Sequence, residues 1–323
     1  MAKVDIVIPC YNYGRFLQLC VNSVLSQSIS DIRVLIIDDS SSDNSRAVAK
    51  SLAAADPRVS FISHGKNIGH IRTYNEGIDW IESDYFLLLS ADDLLVPGSL
   101  ERASDIMDEN PDIVMTHGNV VEWYDHIPFP TEINIGDCSW NREDLLRAMC
   151  AAGGNRVVTA TAIVRTSAQK SIGGYEIDLP HSADMAMWLR FAAEGSIARI
   201  HGVQAIYRRH VSNMSAFYYA EQLRDYEQRK AAFDKFFRTS PKLPSNAVEL
   251  EQQAYRKLAE QAYWTGVKQL LLGRASRGRA LLDFATEIAP HLYYFPPLRY
   301  LGKILVSIAR EAASRRLSRS NES

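Results

Sequence analysis

The strongest constraint on this chain is a set of short apolar runs separated by segments of helical period. The runs are Val4–Pro9 (VDIVIP), Arg33–Ile37 (RVLII), Val59–Ser63 (VSFIS), Tyr85–Leu89 (YFLLL) and Ile113–Thr116 (IVMT). Runs this short and this apolar suit strands buried on both faces of a parallel sheet. Between the first two, Phe16, Leu17, Cys20, Val21, Val24 and Leu25 form one apolar helical stripe. Asp43 to Ala55 reads as a second helix, and Ile71, Tyr74, Ile78 and Ile81 mark a third. A fourth opens at Pro97-Gly98-Ser99 and ends near Asn110-Pro111. Strand and helix in alternation predict an α/β sheet with right-handed crossovers.

Beyond this the pattern changes. Trp123, Tyr124, Pro128 and Pro130 predict an irregular or edge-strand segment from Val120 to Cys138. A helix at Arg142–Ala152, a strand at Val157–Arg165, a helix at His181–Glu194 and strands near Ile197–Arg209 are expected next. After about residue 216 the chain reads as helical, and the composition shift near Ser215 divides 1–215 from 216–323.

In open α/β sheets, ligands bind beyond the carboxyl ends of the strands. Pro9-Cys10-Tyr11-Asn12 follows the first run, Asp38-Asp39-Ser40-Ser41-Ser42-Asp43 the second, His64 to Gly69 the third, and Ser90-Ala91-Asp92-Asp93 the fourth. No GxGxxG follows the first strand and no GxxxxGK[ST] occurs, which argues against a dinucleotide oxidoreductase and a P-loop ATPase. Adjacent carboxylates can instead hold phosphate through a divalent cation. Ser42 or Asp43 suits a helix cap. That role does not account for Asp39 at a buried strand's exit, where a carboxylate can accept from a nucleobase N–H.

Net charge is -2, so nothing global points to nucleic acid. Cys10, Cys20, Cys138 and Cys150 form no CxxC pair and read as free thiols of a reducing compartment. MAKVDIVIPCYN does not read as a signal peptide, and no run reaches the roughly 20 apolar residues of a membrane span. A cytoplasmic location is expected.

Together these pieces resemble family 2 inverting glycosyltransferases of the GT-A fold. The matching residues are Pro9-Cys10-Tyr11-Asn12, Leu35 to Asp43, Asn67-Ile68-Gly69 with Asn75-Glu76-Gly77-Ile78, Ser90-Ala91-Asp92-Asp93 as a DxD-like element, and Ile172-Gly173-Gly174-Tyr175. The likeness covers about residues 3–215. It implies a Rossmann-like, mostly parallel sheet flanked by helices, with a C-terminal helical extension. It further implies that Asp39 contacts the base of a nucleotide-sugar donor, with Tyr11, Pro9, Asn12 and Asn67 nearby. Asp93 would hold Mn²⁺ or Mg²⁺ directly, and Asp92 would face the metal, ribose or a metal-bound water. Arg72 can reach the diphosphate or be a solvated helix arginine. Arg209 is a phosphate contact, and His210 a phosphate contact or third metal ligand, unless Tyr207 to Ser215 is only a basic strand end. The catalytic base is an acid four positions before a tryptophan, here Asp184 before Trp188; many members have Glu where this chain has Ala183.

The implied reaction uses these residue types. A carboxylate takes the proton of a sugar hydroxyl as it attacks. A metal ion neutralises the departing diphosphate. One base and one face of attack give inversion.

Near the C-terminus, Leu298, Leu301, Ile304, Leu305, Ile308 and Ala312 fall on one helical face. From Arg299 onward six basic residues face two acidic ones, and Tyr293, Tyr294 and Phe295 precede them. Such a helix suits an anionic membrane interface, a subdomain core or an oligomer contact. The first option suggests a glycan or polyprenyl-linked acceptor in bacterial-type cell-surface polysaccharide synthesis, at the inner face of the plasma membrane. A nucleotidyltransferase or an inactive nucleotide-sugar-binding scaffold are the alternatives. Cys10–Arg15 lacks the glycine-rich basic segment of the former, and the paired presence of Asp93 and Asp184 argues against the latter.

Overall fold

The computed structural model describes residues 3–130, 132–213 and 221–296. The boundary near Ser215 and the Leu298–Ala312 stripe lie outside them. The order is β1 (Val4–Cys10), α1 (Gly14–Leu25), β2 (Ile32–Asp38), α2 (Ser45–Ala55), β3 (Val59–Ser63), α3 (His70–Trp80), β4 (Tyr85–Leu88) and β5 (Leu94–Leu95). Then come α4 (Ser99–Glu109), β6 (Ile113–Tyr124), β7 (Trp140–Glu143), α5 (Leu145–Ala152), β8 (Ile163–Arg165), α6 (Thr166–Ile172), α7 (Ala183–Glu194) and β9 (Ser196–Arg209). Helices α8 (Gln222–Thr239), α9 (Ala247–Leu271) and α10 (Ala275–Ile288) follow.

The strands form one sheet in the order β3-β2-β1-β4-β8-β6-β9-β5, with β7 on β9. Strands β3, β2, β1 and β4 are mutually parallel, so their carboxyl ends share one edge. The period of two sends alternate side chains to opposite cores. Val7, Leu35, Ile37, Phe86 and Leu88 join α3, α5, α7 and α8 on one face. Ile6, Ile8, Val34, Ile36, Leu87 and Leu89 join α1, α2 and α4 on the other. Gly77 lets α3 lie against β1, since a Cβ there would stand 2.4 Å from Val7 Cγ1. Helix α8 is shared: Phe233 and Phe236 enter the sheet's core, while Tyr226 packs with Leu258, Ala262 and Leu281 of α9 and α10.

Three expectations are corrected. Val157–Arg165 is not one strand: Thr159–Thr161 forms a 3₁₀ turn, and only Ile163–Arg165 pairs. Both the amide (2.9 Å) and the hydroxyl (2.8 Å) of Thr161 donate to Val158 O, a local bond that competes with the ladder. Conversely, β6 runs on to Tyr124, pairing with β9 through Tyr124 opposite Arg209. Register shifts around Gly118–Asn119–Val120 break its periodicity, which hides the strand in the sequence. The helix expected from Arg142 begins at Leu145, capped by Asp144, whose carboxylate accepts from Arg147 N at 3.0 Å.

At the opposite, amino end of the sheet, fully buried Asp5 receives Arg33 Nε and Nη2 (both 2.8 Å), Glu82 N (2.7 Å), Ser83 N (2.9 Å) and Ser83 Oγ (2.6 Å). Burial alone would raise its pKa. The Arg33 and Ser83 bonds more than offset that and hold it below the ordinary 3.8. A depressed carboxylate stabilises the fold above its unfolded pKa, and the contribution is lost as pH falls through the folded value. Asp5→Ala is expected to cost about 3 kcal/mol in urea unfolding at pH 7, because several buried donors lose their acceptor. The deficit shrinks toward pH 3. An unchanged urea midpoint at pH 7 would refute this account.

Candidate active site

The exits of β1, β2 and β3 are tied together by short polar side chains. Asn12 sits at φ 59, a left-handed conformation that asparagine tolerates. Its Oδ1 accepts from Ser42 N at 2.8 Å, and its own N–H donates to Ser41 Oγ at 2.9 Å. Asp39, 3% exposed, accepts at Oδ1 from Ile68 N (2.8 Å) and at Oδ2 from Gly69 N (2.9 Å). Asp39 Oδ1 also lies 2.8 Å from His64 Nδ1, and His64 Nε2 lies 2.7 Å from Glu76. Burial works against the imidazolium, but the two carboxylates outweigh it, so His64 titrates above the ordinary histidine value. Asn67 Nδ2 donates to Asp39 O at 3.2 Å. Asp39 thus holds the loop before α3, with one lone pair left on Oδ2 for a ligand. Tyr11 is 48% exposed beside this edge, and exposed Arg72 donates to Ile68 O, in the loop before α3, at 3.4 Å.

The exit of β4 meets the exit of β9. Asp92 and Asp93 are 5% and 4% exposed. Both oxygens of Asp92 are engaged. Oδ1 accepts from Ser90 Oγ at 2.5 Å, and Oδ2 lies 3.0 Å from His210 Nε2 and 3.1 Å from Asn213 Nδ2. His210 Nδ1 is 3.0 Å from Ser212 Oγ, so both its ring nitrogens have partners. Asp93 Oδ1 accepts from Arg208 N at 3.0 Å, while its Oδ2 has no protein donor among the described residues. Burial, and then the charge of Asp92, push the Asp93 carboxyl well above the ordinary carboxylate range. Arg208 lies between Phe16 (4.5 Å) and Trp123 (4.2 Å) and donates to Asp92 O at 2.9 Å, which fixes this corner.

Asp184 stands in the first turn of α7. Its Oδ1 accepts from Met185 N at 2.7 Å and its Oδ2 from Asn155 Nδ2 at 2.9 Å. Each oxygen keeps a lone pair. Desolvation by the surrounding protein raises its pKa to about 6. The turn before α7 is held by Asn75, which accepts from Tyr175 N (2.6 Å) and donates to Tyr175 O (3.0 Å).

A cavity of about 420 Å³ brings Pro9, Asp92, Asp93, Asp184 and Arg209 together. Arg209 also donates to Glu122 at 2.6 Å. Tyr11, Asn12, Asp39, Asn67, Arg72 and His210 do not line this cavity: most stand along the neighbouring sheet edge, and His210 lies behind Asp92. Asn155, Asp225 and Arg229 line it too and were not anticipated. The Gly153-Gly154 pair before Asn155 was the available signal for the first. Nothing in the sequence of α8 marks the other two.

The donor set fits a hard divalent cation. Asp93 presents an oxygen without a protein donor among the described residues, beside a second carboxylate, and the charges of Arg208 and Arg209 do not offset its burial and the charge of Asp92. Among the described residues no three His, Cys, Asp or Glu side chains converge on one point. A cation held by Asp93 would therefore complete its shell with phosphate and water oxygens, as Mg²⁺-type sites do.

Residues 5–158 match the family model described as Glycosyl transferase family 2. An uncharacterized glycosyltransferase of Haemophilus influenzae is 25% identical over 231 residues, 68% of this chain and 69% of its own length. Two further uncharacterized glycosyltransferases, of Nostoc sp. and of Haemophilus influenzae, are each 33% identical but are matched over only 38% and 47% of their own length. S. aureus TarS, solved in complex with UDP-GlcNAc, superposes with a TM-score of 0.68 at 15% identity, over 97% of this chain and 92% of that one. The mannosyltransferase PcManGT of Pyrobaculum calidifontis, solved with GDP-Man and Mn2+, gives 0.58 at 15% identity, over 96% and 79%. At these identities the structural likeness is one of fold.

Proposed function

Because residues 5–158 match the glycosyltransferase family 2 model and the fold is that of GT-A glycosyltransferases, we propose that this chain is an inverting, metal-dependent enzyme of that family, moving a sugar from a nucleoside-diphosphate donor to an acceptor hydroxyl. The observation that carries this reading is the shared cavity. It holds a carboxyl of pKa about 6 with free lone pairs, Asp184, and a carboxylate with a free oxygen, Asp93.

In this reading Tyr11 and the Asp39 loop receive the nucleobase, with Pro9, Asn12 and Asn67 shaping that edge. Arg72 and Arg209 are the cations placed to meet phosphate. Asp93 holds Mn²⁺ or Mg²⁺, and Asp92 keeps His210 and Asn213 in position behind it. When bound, the ion supplies positive charge to the departing diphosphate. Asp184 takes the proton from the acceptor hydroxyl as its oxygen bonds to the anomeric carbon. The anomeric carbon–oxygen bond to phosphate breaks, and its electron pair leaves with the diphosphate. One carboxylate acting as base on one face supports a single displacement, which inverts the anomeric centre.

The test is release of nucleoside diphosphate from a donor panel with Mn²⁺ and acceptors. No release from any donor at high protein, together with no nucleotide binding, would reject the reading.

A polyprenyl-linked acceptor at the inner membrane face is the proposed setting. Tyr293, Tyr294 and Phe295 are each about three-quarters exposed, which supports it. None of the described helices is long and apolar enough to cross a membrane. Co-sedimentation with vesicles containing anionic lipid is expected for the full chain and not for one cut at Pro290. Equal, negligible binding of both would remove the membrane from the proposal.

A further inference from the structure

The residues lining the cavity fall into two groups. Pro9, Asp92, Asp93 and Arg209 belong to the edge of the sheet. Asn155, Asp184, Asp225 and Arg229 form the second group, and the last two come from α8.

Arg229 has little charge to offer a ligand. It pairs with Asp225 Oδ2, donates to Gln261 Oε1 at 3.2 Å and Gly153 O at 3.4 Å, and lies 4.5 Å over the Tyr226 ring. Gly153 has a φ of 62, and a Cβ on Gly154 would stand 3.1 Å from Arg229 Nη1. The glycine pair lets α8 close on the loop that carries Asn155, which in turn donates to Asp184. Helix α8 therefore braces the base.

Asp225 is differently placed. Its Oδ2 is used by Arg229, and its Oδ1 has no protein donor among the described residues. Asp184 keeps a lone pair on each oxygen. This side of the cavity thus offers hydrogen-bond acceptors and negative charge. Hydroxyl groups fit it, and a phosphate or carboxylate would be repelled. The walls here, Tyr74, Val157 and Tyr175, are mainly apolar and suit the C–H face of a sugar ring.

We infer that α8 completes the acceptor subsite, and that the acceptor there is an uncharged, hydroxyl-rich sugar whose reacting hydroxyl meets Asp184 and whose second hydroxyl donates to Asp225. This rests on the transferase reading above and adds to it the acceptor's chemical class and a residue that selects it.

The experiment takes the donor that is turned over and measures nucleoside diphosphate release with no acceptor, with neutral p-nitrophenyl hexosides, and with glycerol 3-phosphate. Neutral hexosides are expected to stimulate release and glycerol 3-phosphate not. Asp225→Asn is expected to raise the KM for the hexoside about tenfold, the loss of one charge-assisted bond, with the donor KM unmoved. Asp225→Glu, which keeps the acceptor atoms, should recover part of the loss. Stimulation by glycerol 3-phosphate alone, release that no hexoside stimulates, or an Asp225→Asn variant with unchanged hexoside KM would each overturn the inference. Absence of release under every condition would instead overturn the transferase reading on which it stands.

Discussion

Asp184→Asn is expected to lower sugar transfer by about three orders of magnitude at pH 7.5, within the range of a lost general base. The amide can still receive Met185 N–H, but it cannot take a proton from a hydroxyl. In the wild type, burial raises the Asp184 pKa to about 6. Only the ionised form is a base, so kcat/KM should fall with unit slope as pH drops below about 6 and level off above it. The variant's residual rate should lack that limb. Stability gives an independent control. A carboxyl whose folded pKa is raised favours folding in its neutral form and opposes it once ionised. The penalty is therefore absent below the unfolded pKa near 4 and complete above about 6. The asparagine variant loses the bond from Asn155 Nδ2 at every pH but carries no such penalty, so its stability relative to wild type should rise between pH 4 and pH 7. Wild-type turnover by Asp184→Asn would show that the base lies elsewhere.

The sheet's parallel half was legible because β1, β2 and β4 are buried on both faces, which leaves continuous apolar runs. The edge strand Val59–Ser63, of which only Val59 is buried, was readable to the residue as well. The carboxylates at the strand exits were legible for the complementary reason, since charges beside buried strands need a function or a partner. Legibility failed where backbone geometry changed inside an element. The shifts at Gly118–Asn119–Val120 hid the second half of β6. The Thr161 bonds to Val158 O shortened a strand that its β-branched residues suggested. Partners far apart in sequence were also invisible. Asp92 looked available to a ligand until the β9 exit placed His210 and Asn213 against it. Asp225 and Arg229 look like an ordinary i,i+4 surface pair, and only the packing of α8 on Gly153-Gly154 brings them to the cavity.

Asp92 and Asp93, adjacent in sequence, should separate when substituted. Asp93→Asn removes the oxygen that no protein donor satisfies and relieves a buried charge that its neighbour repels. Activity is expected to fall about a thousandfold and Mn²⁺ to stop stimulating it, as for loss of several kcal/mol of transition-state charge stabilisation. The urea midpoint should hold or rise. Asp92→Ala does the reverse to the fold. It strips Ser90, His210 and Asn213 of their common acceptor, at a cost of about 2–3 kcal/mol. Its activity should fall because the 210–213 turn is released, and Mn²⁺ should still stimulate what remains. These signs are opposed for a physical reason. A carboxylate saturated by protein donors works for the fold, whereas one left short of partners at a cavity wall is stable only when a ligand supplies the missing charge. Measuring both urea midpoints and both Mn²⁺ responses decides the matter. A destabilised Asp93→Asn that still responds to Mn²⁺ would exchange the two roles.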